Sequence, residues 1–530
     1  MYSETQKNNT ILDLIVVGGG INGSAIAADA AGRGLMVGLY DAADFASETS
    51  SASSTLMHGG LHHLEHYEFR LLAEALSERE TLLKNSPHIV KPMRFRLPHS
   101  EFLRPAWLIR SGLFLYDHLG KHTTLSSSQQ VNLTSSGLLK KEITKGFEYS
   151  DCWVDEERLV LLNAISAKTN GAEVKNYSRV VKAQRQNGLW VVTILNTQTN
   201  LRFQRKARAL VNATAPWTKP FFEDNQPDEV ENTEDWLYIK QFFNHSQADN
   251  SANNIRLVKG SHIVVPRLHN KEQAYLLQNK DNRVVFVIPY MNDFSIVGTT
   301  DSEYVGDPHQ ATISNNEIDY LLSVVNQHFI KQLKKEDVVS IFAGVRPLCD
   351  EKSEPPHAVT RDYTLTLEQQ GHQAPLLCVF GGKLTTYRKR SDSAMALIKP
   401  YFEGLSDTWT ANTALPGGNF NYSPQQLAKN LVAQNGWLAI KTAHRYVSQF
   451  GTLAWRLFEG YESEFSFGTH FGSGLYSREI DYFIDHEFAK NAQDILWRRT
   501  KLGLYLNQEQ QASVDLYVKN YRNISIAQVS

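Results

Sequence analysis

An α/β fold is predicted for this chain of 530 residues: a doubly wound nucleotide-binding unit first, a mixed or antiparallel sheet unit next, a helical unit last. Three observations predict it. Leu12–Val17 (LDLIVV), the glycine turn Gly18–Gly23 and the small-residue run Ser24–Gly34 lead into Leu35–Tyr40 and Asp41, the pattern of one βαβ unit. Short apolar runs at Ile263–Pro266, Val284–Pro289 and Phe294–Thr299 read as strands of one sheet. From about Ala414, after Pro416-Gly417-Gly418, helical patterns run to the end.

The elements follow in order. Leu12–Val17 is short and rich in β-branched residues, as a strand buried on both faces must be. Ser24–Gly34 reads as a helix closed by glycine, and Leu35–Tyr40 as the next strand. Ser47–Ser54 is a Ser-rich loop. Tyr67–Lys84 places Phe69, Leu72, Leu76 and Leu83 on one helical face. Leu189–Leu195 and Ala209–Asn212 read as strands, and Ile318–Leu333 as a helix. Asp224–Asn254 is polar and acidic and reads as a long surface insertion. Pro375–Phe380 is a last buried strand, with helix from Lys383 onward.

Composition narrows the function classes. Lys and Arg number 54 against 56 Asp and Glu, a net charge of −2, which gives no global attraction to nucleic acid. Apolar residues make up 42%, enough for sizeable cores, so global disorder is excluded. Cys152, Cys349 and Cys378 lie far apart and form neither a zinc spacing nor a disulfide framework. Met1–Thr10 lacks the basic start and apolar run of a signal peptide. No stretch reaches the ~18 apolar residues of a membrane span, so a soluble or surface-attached protein is expected.

Gly18-Gly19-Gly20-Ile21-Asn22-Gly23 satisfies G-x-G-x-x-G between a strand and a helix. Gly18 allows the tight turn, Gly20 lets backbone approach a pyrophosphate, and Gly23 lets helix pack on strand. The helix N-terminus offers free N–H groups to phosphates, and Asp41 can accept hydrogen bonds from a ribose diol. NAD and FAD both suit this unit. The N-terminal position of the motif and a second glycine cluster, Gly381-Gly382, favour FAD, with Gly59-Gly60 and Gly381-Gly382 approaching the ring.

Longer motifs carry a family resemblance: TSSASS from Thr49, HGGL from His58, KGSHIVVPR from Lys259, VGTTD from Val297, GVRPLCD from Gly344, TRDYTL from Thr360, GGKLTTYR from Gly381 and DHEFAKNAQDILWRRTKLGL from Asp485. With them the chain resembles the FAD-dependent glycerol-3-phosphate dehydrogenases of the bacterial aerobic respiratory type. The resemblance implies oxidation of sn-glycerol 3-phosphate to dihydroxyacetone phosphate, with electrons passed to a membrane quinone. It implies a discontinuous Rossmann-like FAD-binding domain, drawn at 11–78 with 149–223 and 340–390. A β-sheet substrate-capping domain is drawn at 79–148 with 255–339, the surface insertion at 224–254, and a C-terminal helical domain at 391–530.

By the same resemblance, Gly18, Gly19, Gly20, Ile21, Asn22, Gly23, Asp41, Ser50, Ser51, His58, Gly59, Gly60, Gly381, Gly382, Leu384 and Thr385 contact FAD. Arg346, Arg361 and Lys383 match cationic positions near flavin and substrate; Arg grips phosphate bidentately, while Lys acts as a point charge. His262 is the preferred proton acceptor, because an imidazole titrates near the operating pH. After HGGL the family usually reads Arg-Tyr, whereas this chain has His62-His63 beside the expected substrate. The family's Lys in the Ser-rich loop is Thr55 here, and an Arg after GK is His122. These departures leave open another small hydroxy compound as substrate, or a low-activity paralogue. No metal site is expected.

Arg104–Leu119 (RPAWLIRSGLFLYDHL) joins apolar residues to basic flanks. It reads either as a monotopic membrane contact or as a helix buried between domains; the quinone link favours the first. The expected location is therefore the inner face of the cytoplasmic membrane. A homodimer is compatible with the sequence, which does not set the oligomeric state.

Overall fold

The computed structural model describes residues 10–59, 69–100, 103–119, 124–134, 137–217, 254–281, 283–350, 363–369 and 373–529. The expected insertion at 224–254 lies outside the described residues up to 253; Asn254 opens a strand.

Strand Ile11–Val17 is buried from its second residue onward. Its alternating side chains serve two cores. Leu14 and Val16 pack with Ile26, Ala27 and Ala30 of helix Ile21–Gly32. Leu12, Ile15 and Val17 pack with Tyr40, Trp190 and Val192. The alanines of that helix let it approach both the sheet and the helices Glu156–Thr169 and Tyr387–Ile398. Burial on two sides explains the near-continuous apolar strand.

Among the described residues the first sheet has eight strands. Six run in the order Tyr363–Glu368, Leu376–Gly381, Arg202–Asn212, Ile11–Val17, Val37–Tyr40, Glu173–Lys175. The last five are mutually parallel. Tyr363–Glu368 closes one edge antiparallel, and the meander Ser178–Gln186, Leu189–Asn196 enters Arg202–Asn212 antiparallel. The glycine turn therefore opens at the carboxyl end of a central parallel strand, where a doubly wound sheet binds ligands.

The second sheet is mixed and holds ten strands among the described residues. Asn254–Pro266 lies between Ser340–Asp350 on one side and Phe294–Gly298 with Ser302–Glu303 on the other. Lys145–Val154 pairs with Val90–Pro98 and with Leu56–Met57, the strand that leaves the Ser-rich loop. Segments 149–154 and 340–350, grouped with the nucleotide unit in the sequence division, thus pair in the second sheet. Helix Asn315–His328 covers this sheet through Leu321, Leu322, Val324 and Val325.

The C-terminal helices, among them Pro424–Gln434, Ile440–Phe450, Ser477–His486 and Gln508–Val529, enclose a core of their own around Tyr446, Phe450, Phe467 and Phe483. Charge ties this unit to the first sheet. Glu487 pairs with the fully buried Arg158; Arg499 and Arg498 converge on Asp44; Lys501 bridges Asp155 and Glu157 at 2.7 and 2.8 Å. No helix among the described residues is long and apolar enough to cross a membrane.

Candidate active site

The glycine turn is shaped by what surrounds it. Gly18 has φ +99°, and a Cβ there would lie 2.7 Å from the Ala213 carbonyl oxygen. A Cβ on Gly23 would sit 1.8 Å from the Gly18 oxygen. Gly20, directly before the helix, is different: an added Cβ would meet only the Ser50 hydroxyl, at 3.2 Å. That open cradle at a helix N-terminus suits a pyrophosphate. Ser50 Oγ accepts from the Ile21 N–H at 3.2 Å, so the Ser-rich loop already reaches the helix start. Ser51 instead donates to Glu48 O within its own turn. The Asp41 carboxylate accepts from the Gly19 and Ala43 N–H groups at 2.5 and 2.8 Å. Burial nevertheless pushes its pKa up to about 6.

Two distant segments close on this turn. Asn22 Nδ2 donates to Gly381 O at 3.4 Å. Arg390, buried, donates to the Asn22 side-chain oxygen and to Lys383 O at 2.8 Å. A Cβ on Gly382 would strike the Arg390 guanidinium at 2.0 Å, so this glycine makes room for that arginine. Leu384 and Thr385 form one turn of 3₁₀ helix, and Thr385 Oγ1 donates to His58 O at 3.3 Å. At Gly59 a Cβ would collide with Tyr116, Leu72 and Leu76 within 2.9 Å. Protein, not open space, fills the room beside Gly59. Burial lowers the Lys383 pKa to about 7.

The second sheet brings its own groups to the Ser-rich loop. Thr49 Oγ1 donates to Val345 O at 2.8 Å, and Gly344 leaves room for Ala52. Ser54 Oγ is hydrogen-bonded to His262 Nε2 at 3.0 Å. The His262 ring stacks on Phe342 at 4.7 Å and is 2% exposed. Its Nδ1 is buried without a hydrogen-bond partner among the described residues. Arg346 pairs with Asp301, beside Gly260. Burial first, and the Arg346 charge second, push the His262 pKa down to about 3. An imidazole titrating near neutral pH, expected from sequence, is therefore corrected: His262 is neutral across the working range. His62, His63, Gly60 and Arg361 lie outside the described residues.

Sequence reasoning missed Arg390, Asp301, Ser54 and Glu156. Glu156 accepts from Ser53, and burial raises its pKa to about 8. Ser54 and Asp301 stood inside the matched motifs TSSASS and VGTTD; Arg390 left only the basic run Arg388-Lys389-Arg390 as a signal.

Comparison with known proteins places this geometry. A family model described as FAD dependent oxidoreductase matches residues 13–388. The chain belongs to this family. The open cradle at Gly20 has the shape a pyrophosphate of FAD needs, and the Asp41 carboxylate the chemistry a ribose diol needs. A second model, the C-terminal domain of alpha-glycerophosphate oxidase, matches residues 408–519. The glycerol-3-phosphate dehydrogenase of Pseudomonas aeruginosa is 52% identical over 510 residues, covering 96% of this chain and 95% of that protein. The aerobic glycerol-3-phosphate dehydrogenase of Escherichia coli K12 is 50% identical, covering 96% and 97%. The fold matches the FAD complex of the Bacillus halodurans glycerol-3-phosphate dehydrogenase with a TM-score of 0.70 at 23% identity, over 98% of this chain and 95% of that one.

Proposed function

We propose that this chain oxidises sn-glycerol 3-phosphate to dihydroxyacetone phosphate and delivers the electrons to a membrane quinone. The observation that carries the reading is the convergence of His262, and of the strand that bears Arg346, on the Ser-rich loop whose Ser50 reaches the glycine turn, in a chain half identical to the two dehydrogenases. Bound FAD supplies the hydride acceptor and the electron store.

The chain's own residues do the rest. In the tautomer whose Nε2–H donates to Ser54, the buried His262 Nδ1 keeps a lone pair that no donor among the described residues occupies, and it takes the alcohol proton from a substrate that reaches it. A phosphate dianion arriving beside the ring raises its basicity from the low resting value. Arg346, held in place by Asp301, supplies permanent charge for that anion. Lys383, close to its titration point near pH 7, adds a cation where negative charge develops. Arg361, His62 and His63 are proposed from the sequence alone as further phosphate contacts.

The membrane side of the reading rests on helix Ala106–Leu119. Leu113 and Tyr116 face the core, whereas Trp107, Leu108, Phe114 and Leu115 stand exposed, Trp107 by 69%. The exposed four recur at i, i+1, i+7 and i+8, one stripe about 120° wide. Arg104 and Arg110 flank it, as suits a helix lying in an anionic lipid interface.

The test is anaerobic addition of glycerol 3-phosphate to the yellow protein. Bleaching within turnover time is expected. Bleaching only by another small hydroxy compound would transfer the chemistry to that substrate.

A further inference from the structure

One buried network touches the cofactor loop from a direction that the mechanism does not use. The Gly59 N–H donates to Tyr116 Oη at 2.9 Å. The Tyr116 hydroxyl in turn donates to the Asp151 carboxylate, 2.7 Å from each oxygen. Arg79 donates to Asp151 Oδ1 at 2.9 Å and to Ser150 O at 3.2 Å. Arg79, Tyr116 and Asp151 are 3%, 3% and 1% exposed. Burial raises the Asp151 pKa to about 6 despite Arg79, so this acid stands in a dry setting where each hydrogen bond matters.

The other end of the same peptide is also held. His58 O, the carbonyl of the peptide whose N–H belongs to Gly59, accepts from Thr385 Oγ1. In a trans peptide the carbonyl and the N–H point in opposite directions. A donor on one side and an acceptor on the other therefore fix how this plane is turned. Thr385 comes from the GGKLTT segment and Tyr116 from helix Ala106–Leu119, so two unrelated elements grip one peptide group.

We propose that Tyr116 is a positioning residue for the cofactor site: through Asp151 it holds the His58–Gly59 peptide in one orientation, and that orientation sets how strongly the site prefers reduced over oxidised flavin. The inference rests on FAD being the bound cofactor and on the His58–Gly59 segment lying beside it, and not on the substrate. Its readout is the midpoint potential, measured by photoreduction of the purified holoprotein without any glycerol phosphate.

Tyr116→Phe keeps the ring and the Arg79–Asp151 pair while removing the acceptor for Gly59. Thr385→Val releases the opposite end of the same peptide. Each variant is expected to change the ratio of reduced to oxidised flavin affinity by about tenfold, roughly 30 mV for a two-electron couple. Both should shift in the same direction. Leu113→Ala removes packing from the same helix without touching Gly59, and should lower the melting temperature while leaving the potential in place. A potential within a few millivolts of wild type in both Tyr116→Phe and Thr385→Val would overturn the proposal, as would an equal shift in Leu113→Ala. If Tyr116→Phe does not accumulate as holoprotein, Asp151→Asn, which keeps the shape but loosens the Tyr116 hydroxyl, decides in its place. Failure of the wild type to hold FAD would instead remove the cofactor reading.

Discussion

Gly20 and Gly23 stand three residues apart, yet their side-chain space differs entirely. At Gly23 a methyl group would overlap the Gly18 oxygen, so Gly23→Ala should destabilise the apoprotein by about 1–3 kcal/mol, read as a lower denaturant midpoint. At Gly20 the only neighbour is the Ser50 hydroxyl. Gly20→Val should therefore fold normally and lose FAD, seen as a colourless protein that melts like the wild-type apoprotein. Lys383 offers a pH test. Burial lowers its pKa to about 7, so the free enzyme holds the charge below that pH and sheds it above. The expected kcat/KM falls as pH rises through about 7. Lys383→Arg, charged throughout, should lose that limb, and Lys383→Ala should lose most turnover with flavin content unchanged. The glycine turn was legible in sequence because its constraint is local: a backbone path open only to glycine. Its partners were not, because Arg390 meets Asn22 across 368 residues. The pKa of His262 was equally hidden, since burial and Arg346 depend on strands brought together by folding.

Elements with apolar runs were easier to read than elements with mixed ones. Ile11–Val17 and Leu376–Gly381 announce themselves because both faces are buried. Lys145–Val154, one of the longest strands, passed unnoticed as an element. Both of its faces are buried and carry polar groups, Glu148 and Ser150 on one and Asp151 on the other, satisfied by arginine and tyrosine partners no local pattern reveals. Helix Ala106–Leu119 left two readings open, and its geometry accommodates both: an inner face in the core and an outer stripe in the open. Because the outer residues support nothing inside, Trp107→Glu combined with Phe114→Glu should move stability by less than about 0.5 kcal/mol per site. The same pair should weaken cosedimentation with anionic lipid vesicles at least tenfold, as loss of two interfacial aromatics predicts. Unchanged vesicle binding would detach the helix from the membrane reading.

Across the whole molecule, stability carries a pH signature from Glu156. Burial raises its pKa from the ordinary 4.5 to about 8, so the folded state favours its protonated form. Its contribution is fully present below about pH 4.5 and is lost as pH rises through 8, about 1.4 kcal/mol for each unit of pH between. Glu156→Gln should melt near wild type at pH 5 and above it at pH 8.5, with the difference growing steadily. The seam between the first sheet and the C-terminal helices behaves differently. Glu487→Ala strands the wholly buried Arg158 and should cost about 3–5 kcal/mol, whereas Arg158→Met with Glu487→Leu should recover most of it. That seam is written in opposite charges contributed by segments more than 300 residues apart: Asp44, Asp155, Glu157 and Arg158 on one side, Glu487, Arg498, Arg499 and Lys501 on the other. It acts as a password between halves of the chain. A C-terminal unit grafted from a relative will dock only if it brings each complementary charge, and one mismatch leaves an ion in the dark. Recombination among such enzymes is thereby confined to exchanges in which Asp44 and the acidic tetrapeptide Asp155–Arg158 travel with Glu487 and the basic run Arg498–Lys501.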